Sequence, residues 1–341
     1  MLIPPGQILH KDLSTSFTNF EKLLLELREN RFNGYVRVSF WGYEGIFLLD
    51  VGKIIQAYSS ERDNFLLGQN ALLRIMKKAS EKDGTIDVHA LPNEVTITLA
   101  SVLGATLYLS EDNVVKDGLQ KITQELEAEG IIGYIDLQFG GKKGFSTIYL
   151  MEGIPVETVI MSTSGRIVSG EHVYQKILEY SQLIKSSVKV YRNQKIEHIH
   201  EEDVLVMPDQ KNPTLEFWSA LMRVLTEQIR KVLKKEDFVD IWQSAKVDFS
   251  GNYPCLHPIS GGLKWEGDHF RVHNVIPVSE LNDGLVLSLN AAVNRISPRK
   301  RHKIKIGKIM EIFFNELSGM DKNSKMPDPL NIVKEIFQDH K

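Results

Sequence analysis

The stretch GYVRVSFWGYEGIFLLDVGKIIQAYSS, residues 34–60, decides the fold. Tyr35, Arg37 and Ser39 alternate with Val36, Val38 and Phe40, the period of two that gives a strand two distinct faces. A glycine-bearing turn leads into GIFLLD. Asp50-Val51-Gly52-Lys53 then reads as a tight hairpin turn in which glycine supplies a positive φ, and IIQAYS follows as a third strand. Upstream, Phe20, Leu23, Leu24 and Leu27 have helical spacing. Downstream, LLGQNALLRIMKKA reads as a helix and TIDVHA as a last strand.

Residues 133–160, GYIDLQFGGKKGFSTIYLMEGIPVETVI, repeat this design. Gly34-Tyr35 falls on Gly133-Tyr134 at an offset of 99, Gly52 on Gly153 at 101, and Gly68 on Gly170 at 102. Leu119, Ile122 and Leu126 supply the preceding helix, and SGEHVYQKILEYS and SVKVYR the closing helix and strand. Insertions confined to turns, with the apolar rhythm kept, are what a duplicated module shows. The predicted fold class is α+β: two tandem modules of helix, antiparallel β-meander, helix and strand, followed by a mainly helical domain. The predicted boundaries are 1–115, 116–192, a linker at 193–213, and 214–341.

The order of helix, Gly34-Tyr35-x-x-Val38, turn and glycine-closed strand, with Gly45, Gly52 and Ala57 in place, resembles the PATAN-like domains, an uncharacterised bacterial and archaeal family. The resemblance covers 17–91 and, more loosely, 117–192, where Thr158 replaces Ala57 and Pro155 stands beside the turn. It implies a non-catalytic protein-interaction module. Such domains occur in response regulators and with proteins that serve small Ras-like GTPases and type IV pilus motors. The resemblance supplies no catalytic residues.

Composition narrows the classes. The chain has 341 residues, 42% hydrophobic and 25% charged, with a net charge of −3. That balance is globular and offers no global basic field for nucleic acid. Cys255 is the only cysteine, which excludes an internal disulfide and fits a reducing cytoplasm. The first residues, MLIPPGQILHKDL, lack the pattern of a signal peptide. The run VTITLASVLGATLYL at 95–109 is shorter than the ~20 residues that span a bilayer, so no transmembrane segment is predicted and the run reads as buried core.

In the last third, Asn212-Pro213 reads as an N-cap followed by proline at the first helical position. Leu215, Trp218, Met222, Leu225, Ile229 and Val232 then form a stripe of three- and four-residue steps. It suits a helix within a bundle or the seam of a homodimer. NYPCLHPI at 252–259 resembles a Y-P-F-L-D-P-F stretch of some PATAN-containing proteins, with Cys255 and His257 in place of Phe and Asp. A short hairpin follows in GGLKWEGDHFRVHNV, then helices near 279–295, 304–318 and 329–338.

Chemistry-bearing motifs are few. His198 and His200 lie among Glu197, Glu201, Glu202 and Asp203, donors suited to zinc or nickel but placed in the expected linker. Cys255 with His257, His269 or His273 would need a third, orienting group to make a nucleophile. Gly140-Gly141-Lys142-Lys143-Gly144 joins two strands and lacks the spacing of a phosphate loop. The dense basic cluster, Arg299, Lys300, Arg301, His302 and Lys303 with Lys305 and Lys308, reads first as a solvated loop leading into a helix; as a binding surface it has no interleaved aromatics and suits an acidic protein better than a membrane or nucleic acid. Trp41 and Tyr43 at the first turn are candidate interface anchors.

The expected protein is therefore a cytoplasmic, non-enzymatic regulatory or adaptor protein without cofactor or metal. Its candidate interaction surface is Trp41, Tyr43, Arg299, Lys300, Arg301 and Lys303. Its expected partner is a protein, with a small GTPase or a pilus or motility ATPase suggested by the resemblance. A small-molecule sensor with a pocket between the repeats is the alternative.

Overall fold

Both quoted stretches fold as antiparallel meanders, and each is extended by strands the sequence does not announce. The structure is a computed structural model and describes residues 1–62, 64–115, 117–140, 144–193, 195, 198–234, 236–320 and 326–338. The chain divides into two units, Met1–His200 and Glu201–Lys341.

In the first unit, module one contains β1 (Gln7–Ser14), α1 (Phe20–Glu29), β2 (Gly34–Phe40), β3 (Tyr43–Asp50), β4 (Lys53–Glu61), β5 (Asn64–Leu67), α2 (Gly68–Ala79) and β6 (Thr85–Ala90). A bridging helix, α3 (Asn93–Val102), follows. Module two contains β7 (Thr106–Val114), α4 (Gly118–Ala128), β8 (Gly133–Phe139), β9 (Gly144–Met151), β10 (Ile154–Met161), β11 (Ile167–Ser169), α5 (Glu171–Leu183) and β12 (Ser186–Arg192). The sheet orders are β1-β6-β2-β3-β4-β5 and, from the corresponding end, β7-β12-β8-β9-β10-β11. The duplication therefore extends to topology.

The correspondence reaches single hydrogen bonds. Helix α1 ends where Phe32 N–H donates to Leu27 O, with Arg31 at φ 50. Helix α4 ends where Ile131 N–H donates to Leu126 O, with Gly130 at φ 63. A left-handed residue followed by a back-bond to the last turn is a Schellman C-cap. The β3–β4 and β9–β10 hairpins turn through two positive-φ residues each, Val51-Gly52 and Glu152-Gly153. Gly52 N–H donates to Phe32 O at 2.8 Å, and Gly153 N–H to Ile131 O at 2.7 Å.

Each sheet is covered on both sides. Val36, Val38, Phe47 and Leu49 are buried on the face toward the module's own helices, whose Leu23, Leu27, Leu72 and Ile75 are also buried. On the other face Tyr35, Ile46 and Leu48 share one apolar cluster with Val95, Leu99 and Val102 of α3 and with Tyr149 and Val159 of the second sheet. Helix α3 touches strands of both sheets. The repeats thus pack on each other around α3. The reading of 95–109 as uniformly buried needs correction: α3 is buried, but Leu107 and Tyr108 of β7 are 56% and 46% exposed. Because β7 pairs with β12, module two also begins by Thr106 rather than at 116.

The second unit contains β13 (Leu205–Val206), α6 (Pro213–Leu233), α7 (Phe238–Ala245), a hairpin of β14 (Leu263–Glu266) and β15 (His269–Val272), β16 (Ile276–Pro277), α8 (Val278–Arg295), α9 (Pro298–Arg301), α10 (Ile306–Leu317) and α11 (Pro329–Ile336). The supposed linker is partly core. Val204, Leu205, Val206 and Met207 are buried, and β13 pairs with β16. Asn212 fixes the entry to α6: its side-chain oxygen accepts from Thr214 N–H, and its Nδ2 donates to Leu205 O and Glu202 O. Trp218, Met222, Leu225 and Ile229 are fully buried within this chain, in one cluster with residues of α7, α8, α10 and α11. The stripe therefore serves a bundle within this unit, with Leu215 and Val232 at its two ends partly buried. No helix among the described residues is long and apolar enough to cross a membrane.

Gly52 and Gly153 leave no room for a side chain where each hairpin turn meets the preceding helix. A Cβ on Gly52 would lie 2.6 Å from Arg28 Cα, and one on Gly153 would lie 2.3 Å from Glu127 Cα, both at φ +79. Gly52→Ala and Gly153→Ala should each destabilise the fold by more than about 1 kcal/mol in denaturant titrations. Gly104→Ala, whose Cβ meets only Leu67 Cδ1 at 3.9 Å, should stay within about 0.5 kcal/mol.

Candidate functional site

The β2–β3 hairpin presents its tip through Trp41 and Gly42, with Gly42 at φ +73. Trp41 is 104% exposed, a large indole with no cover from its own chain. Tyr43, paired with it as an anchor on sequence grounds, is only 4% exposed. That expectation is corrected by the pairing register. Phe40 and Tyr43 face each other across the hairpin, and their rings meet edge-on at 6.1 Å. Lys78 Nζ of α2 lies 5.6 Å from both rings, and the Arg74 guanidinium 6.0 Å from the Tyr43 ring. Burial pushes the Tyr43 hydroxyl up to about 12. Tyr43 and Phe40 thus brace the hairpin against α2, and Trp41 stands on that brace.

The basic cluster lies in the second unit, on α9 and the segment leading into α10. It is not uniformly available. Lys300 Nζ pairs with Glu236 at 3.0 Å, and Arg301 donates to Asn294 Oδ1. Arg299, Lys303, Lys305 and Lys308 are exposed, and among the described residues no carboxylate pairs with them. The exposed part of the cluster without a paired carboxylate among the described residues is therefore Arg299 and Lys303 with the two following lysines. Lys300 and Arg301 hold the segment to its own unit.

The other motifs resolve into local structure. Cys255 is buried, its N–H donates to Glu280 Oε1, and burial, with Glu280 beside it, raises the thiol well above its usual range. A thiol held protonated is a poor nucleophile. His257 Nδ1 is taken up by Ser260 within its own turn. His269 bonds Asp268, whose carboxyl that bond lowers, and His273 sits 3.5 Å from Glu266. His198 and His200 are exposed on either side of buried Ile199, while Glu197 lies outside the described residues. Among the described residues no group of three or more His, Cys, Asp or Glu could hold a metal ion. Gly141, Lys142 and Lys143 also lie outside the described residues.

Sequence reasoning missed a polar seam between the two sheets. Residues 2–5 run across both modules. Leu2 N–H donates to Thr147 Oγ1, and Leu2 O accepts from Tyr149 Oη. Pro4 O accepts from Tyr35 Oη, and Pro5 O meets His89 Nδ1 at 2.6 Å. Tyr35 stacks on His89 and Tyr134 on Tyr191, both at 4.6 Å, at equivalent places in the two modules. A 320 Å³ cavity lies beside this seam. A 580 Å³ cavity in the second unit is lined by Arg223 and Arg271, but those guanidiniums pair with Glu316 and with Glu266 and Asp209.

Comparisons with known proteins reach only the first module. Residues 1–102 match a family described as an uncharacterized protein conserved in archaea (DUF2226). The matched span runs from β1 through α3 and includes Gly34, Gly45, Gly52 and Ala57, under a description other than PATAN-like. No curated protein and no solved structure matches the chain.

The buried tyrosines make the fold sensitive to alkali. Burial raises Tyr35, Tyr134 and Tyr149 above the ordinary tyrosine range. A raised acid contributes stability that is complete below the unfolded value near 10 and is lost as pH climbs through the folded value. The melting temperature should therefore fall above about pH 10. Tyr149→Phe, compared with wild type by near-ultraviolet circular dichroism, should lower stability at pH 8 and flatten the fall above pH 10.

Proposed function

We propose that this protein is a cytoplasmic, non-enzymatic regulatory adaptor that acts by binding another protein. The observation that carries this reading is Trp41, wholly exposed on a hairpin tip braced by Phe40, Tyr43, Arg74 and Lys78. An exposed indole is costly to leave in water, and on a rigid support it loses little conformational freedom when a partner covers it. Tryptophan is also prominent among the residues that dominate binding energy at interfaces. The exposed cations Arg299, Lys303, Lys305 and Lys308 offer a second surface, suited to an acidic partner. The PATAN-like resemblance, carried by Gly34, Gly45, Gly52 and Ala57, favours a small Ras-like GTPase or a pilus or motility ATPase as that partner.

Affinity capture from native lysate, with and without a non-hydrolysable GTP analogue, tests the reading. The wild type should enrich a GTPase or a motor ATPase in a nucleotide-dependent way. Trp41→Ala should lose that protein while its own stability stays within about 0.5 kcal/mol, because the indole touches nothing in its own chain. Arg299→Glu with Lys303→Glu should weaken capture and remove its salt dependence. Identical capture by wild type and both variants would overturn the reading.

A further inference from the structure

The cavity in the first unit is built from both repeats. Tyr35 of β2 and Tyr134 of β8, the same position in the two modules, both line it, together with Tyr58 of β4. Ile3, Ile46, Leu48, Leu99 and Leu103 complete its apolar wall. Glu44 is the carboxylate at its edge. The volume of 320 Å³ corresponds to about ten waters at ~30 Å³ each and falls at the small end of ligand pockets. A one- or two-ring molecule fits that space.

The lining decides the ligand's charge. Glu44 is offset by Arg37, whose Nε lies 3.5 Å away, so the edge carries little net charge. Met1 also lines the cavity, and its N-terminal ammonium is paired with Asp136 Oδ2 at 2.9 Å. The remaining wall is aliphatic or aromatic, so a net charge on the guest would cost desolvation and meet only charges that already have partners. Flat tyrosine rings favour a flat, aromatic guest. Hydrogen-bonding capacity is left over. Tyr35 Oη is occupied by Pro4 O and Arg37 Nη2. The hydroxyls of Tyr58 and Tyr134, both half-buried, make no hydrogen bond to another described residue. Both stand at a wall where a guest's polar group can take the place of water.

We propose that this cavity is a binding site for an uncharged, flat molecule of one or two aromatic rings, whose polar substituent is recognised by Tyr58, Tyr134 and Glu44. The site is independent of Trp41 and of the basic cluster, so it stands or falls apart from the adaptor reading. If both hold, the guest occupies the seam where residues 2–5 tie the two sheets together, and its presence tightens the first unit.

Three probes sharing one ring test the proposal on the full chain: indole-3-ethanol, uncharged; tryptamine, a cation; and indole-3-acetate, an anion. Calorimetry and saturation-transfer NMR should show indole-3-ethanol binding at least tenfold more tightly than either charged probe. Leu103→Trp, which fills the cavity from a half-buried position at the end of α3, should abolish that binding. Tyr58→Phe and Tyr134→Phe remove only a hydroxyl and should each weaken it by about three- to tenfold. The proposal is overturned by no binding of the uncharged probe at millimolar concentration, or by equal or tighter binding of a charged one. It is also overturned if affinity is unchanged in a folded Leu103→Trp. Should that variant not fold, unchanged affinity in both hydroxyl variants overturns it as well.

Discussion

The first unit depends on the contact between a hairpin turn and the end of the preceding helix. In module one the Gly52 N–H reaches Phe32 O, and in module two the Gly153 N–H reaches Ile131 O. Neither contact leaves room for a side chain, since the Cβ of either glycine would fall within 2.6 Å of helix backbone. The residue before each glycine, Val51 or Glu152, is itself left-handed. Such a turn matches the right-handed twist of its strands and makes the hairpin tight. With the turn pinned to the helix end, the register of β3 on β4 places Phe47 and Leu49 under the helices and Ile46 and Leu48 on the opposite face. A slip of one residue would exchange those faces.

Covering both faces of each sheet has a polar consequence. A sheet with one wet face can leave tyrosine hydroxyls in water, but here Tyr35 and Tyr149 are completely buried. Each hydroxyl must find a partner, and the carbonyls of Leu2 and Pro4 provide it. Residues 2–5 therefore act as a strap whose backbone satisfies side chains from both modules at once. Tyr35 and its equivalent Tyr134 both line the cavity, but only Tyr35 has such a carbonyl. The asymmetry arises because one strap cannot serve both copies of the same position.

The duplicated meander was legible in the sequence because strand alternation, helical spacing and turn glycines all recur together. The strands β1 and β7 were not, since both lie at sheet edges with mostly exposed side chains and so carry no apolar alternation. The exposure of Trp41 followed from its place in a turn. Tyr43 sits two residues later, and the same reasoning misplaced it. Its environment is set by Arg74 and Lys78, contributed by a helix some thirty residues downstream, and no local pattern contains that information. The seam formed by residues 2–5 was illegible for the same reason: carbonyl acceptors have no sequence signature.

Helix α6 shows where a burial pattern stops being informative. A stripe at three- and four-residue steps says that one face is covered but not which chain covers it. The answer comes from the residues beyond the stripe. Phe217, Ala220, Leu221 and Val224 are buried as well, so the helix is surrounded rather than capped along one seam. Phe217 meets Phe313 of α10 at 5.2 Å, and Phe270 of β15 donates its N–H to Ser219 Oγ. Trp218 donates from Nε1 to Asn282 of α8, and the neighbouring Trp242 of α7 donates to Ser288 of the same helix. These directional bonds fix the helices around α6 in a way that apolar packing alone does not. The cover of α6 is thereby supplied from within its own unit, by residues of α7, α8, α10 and β15.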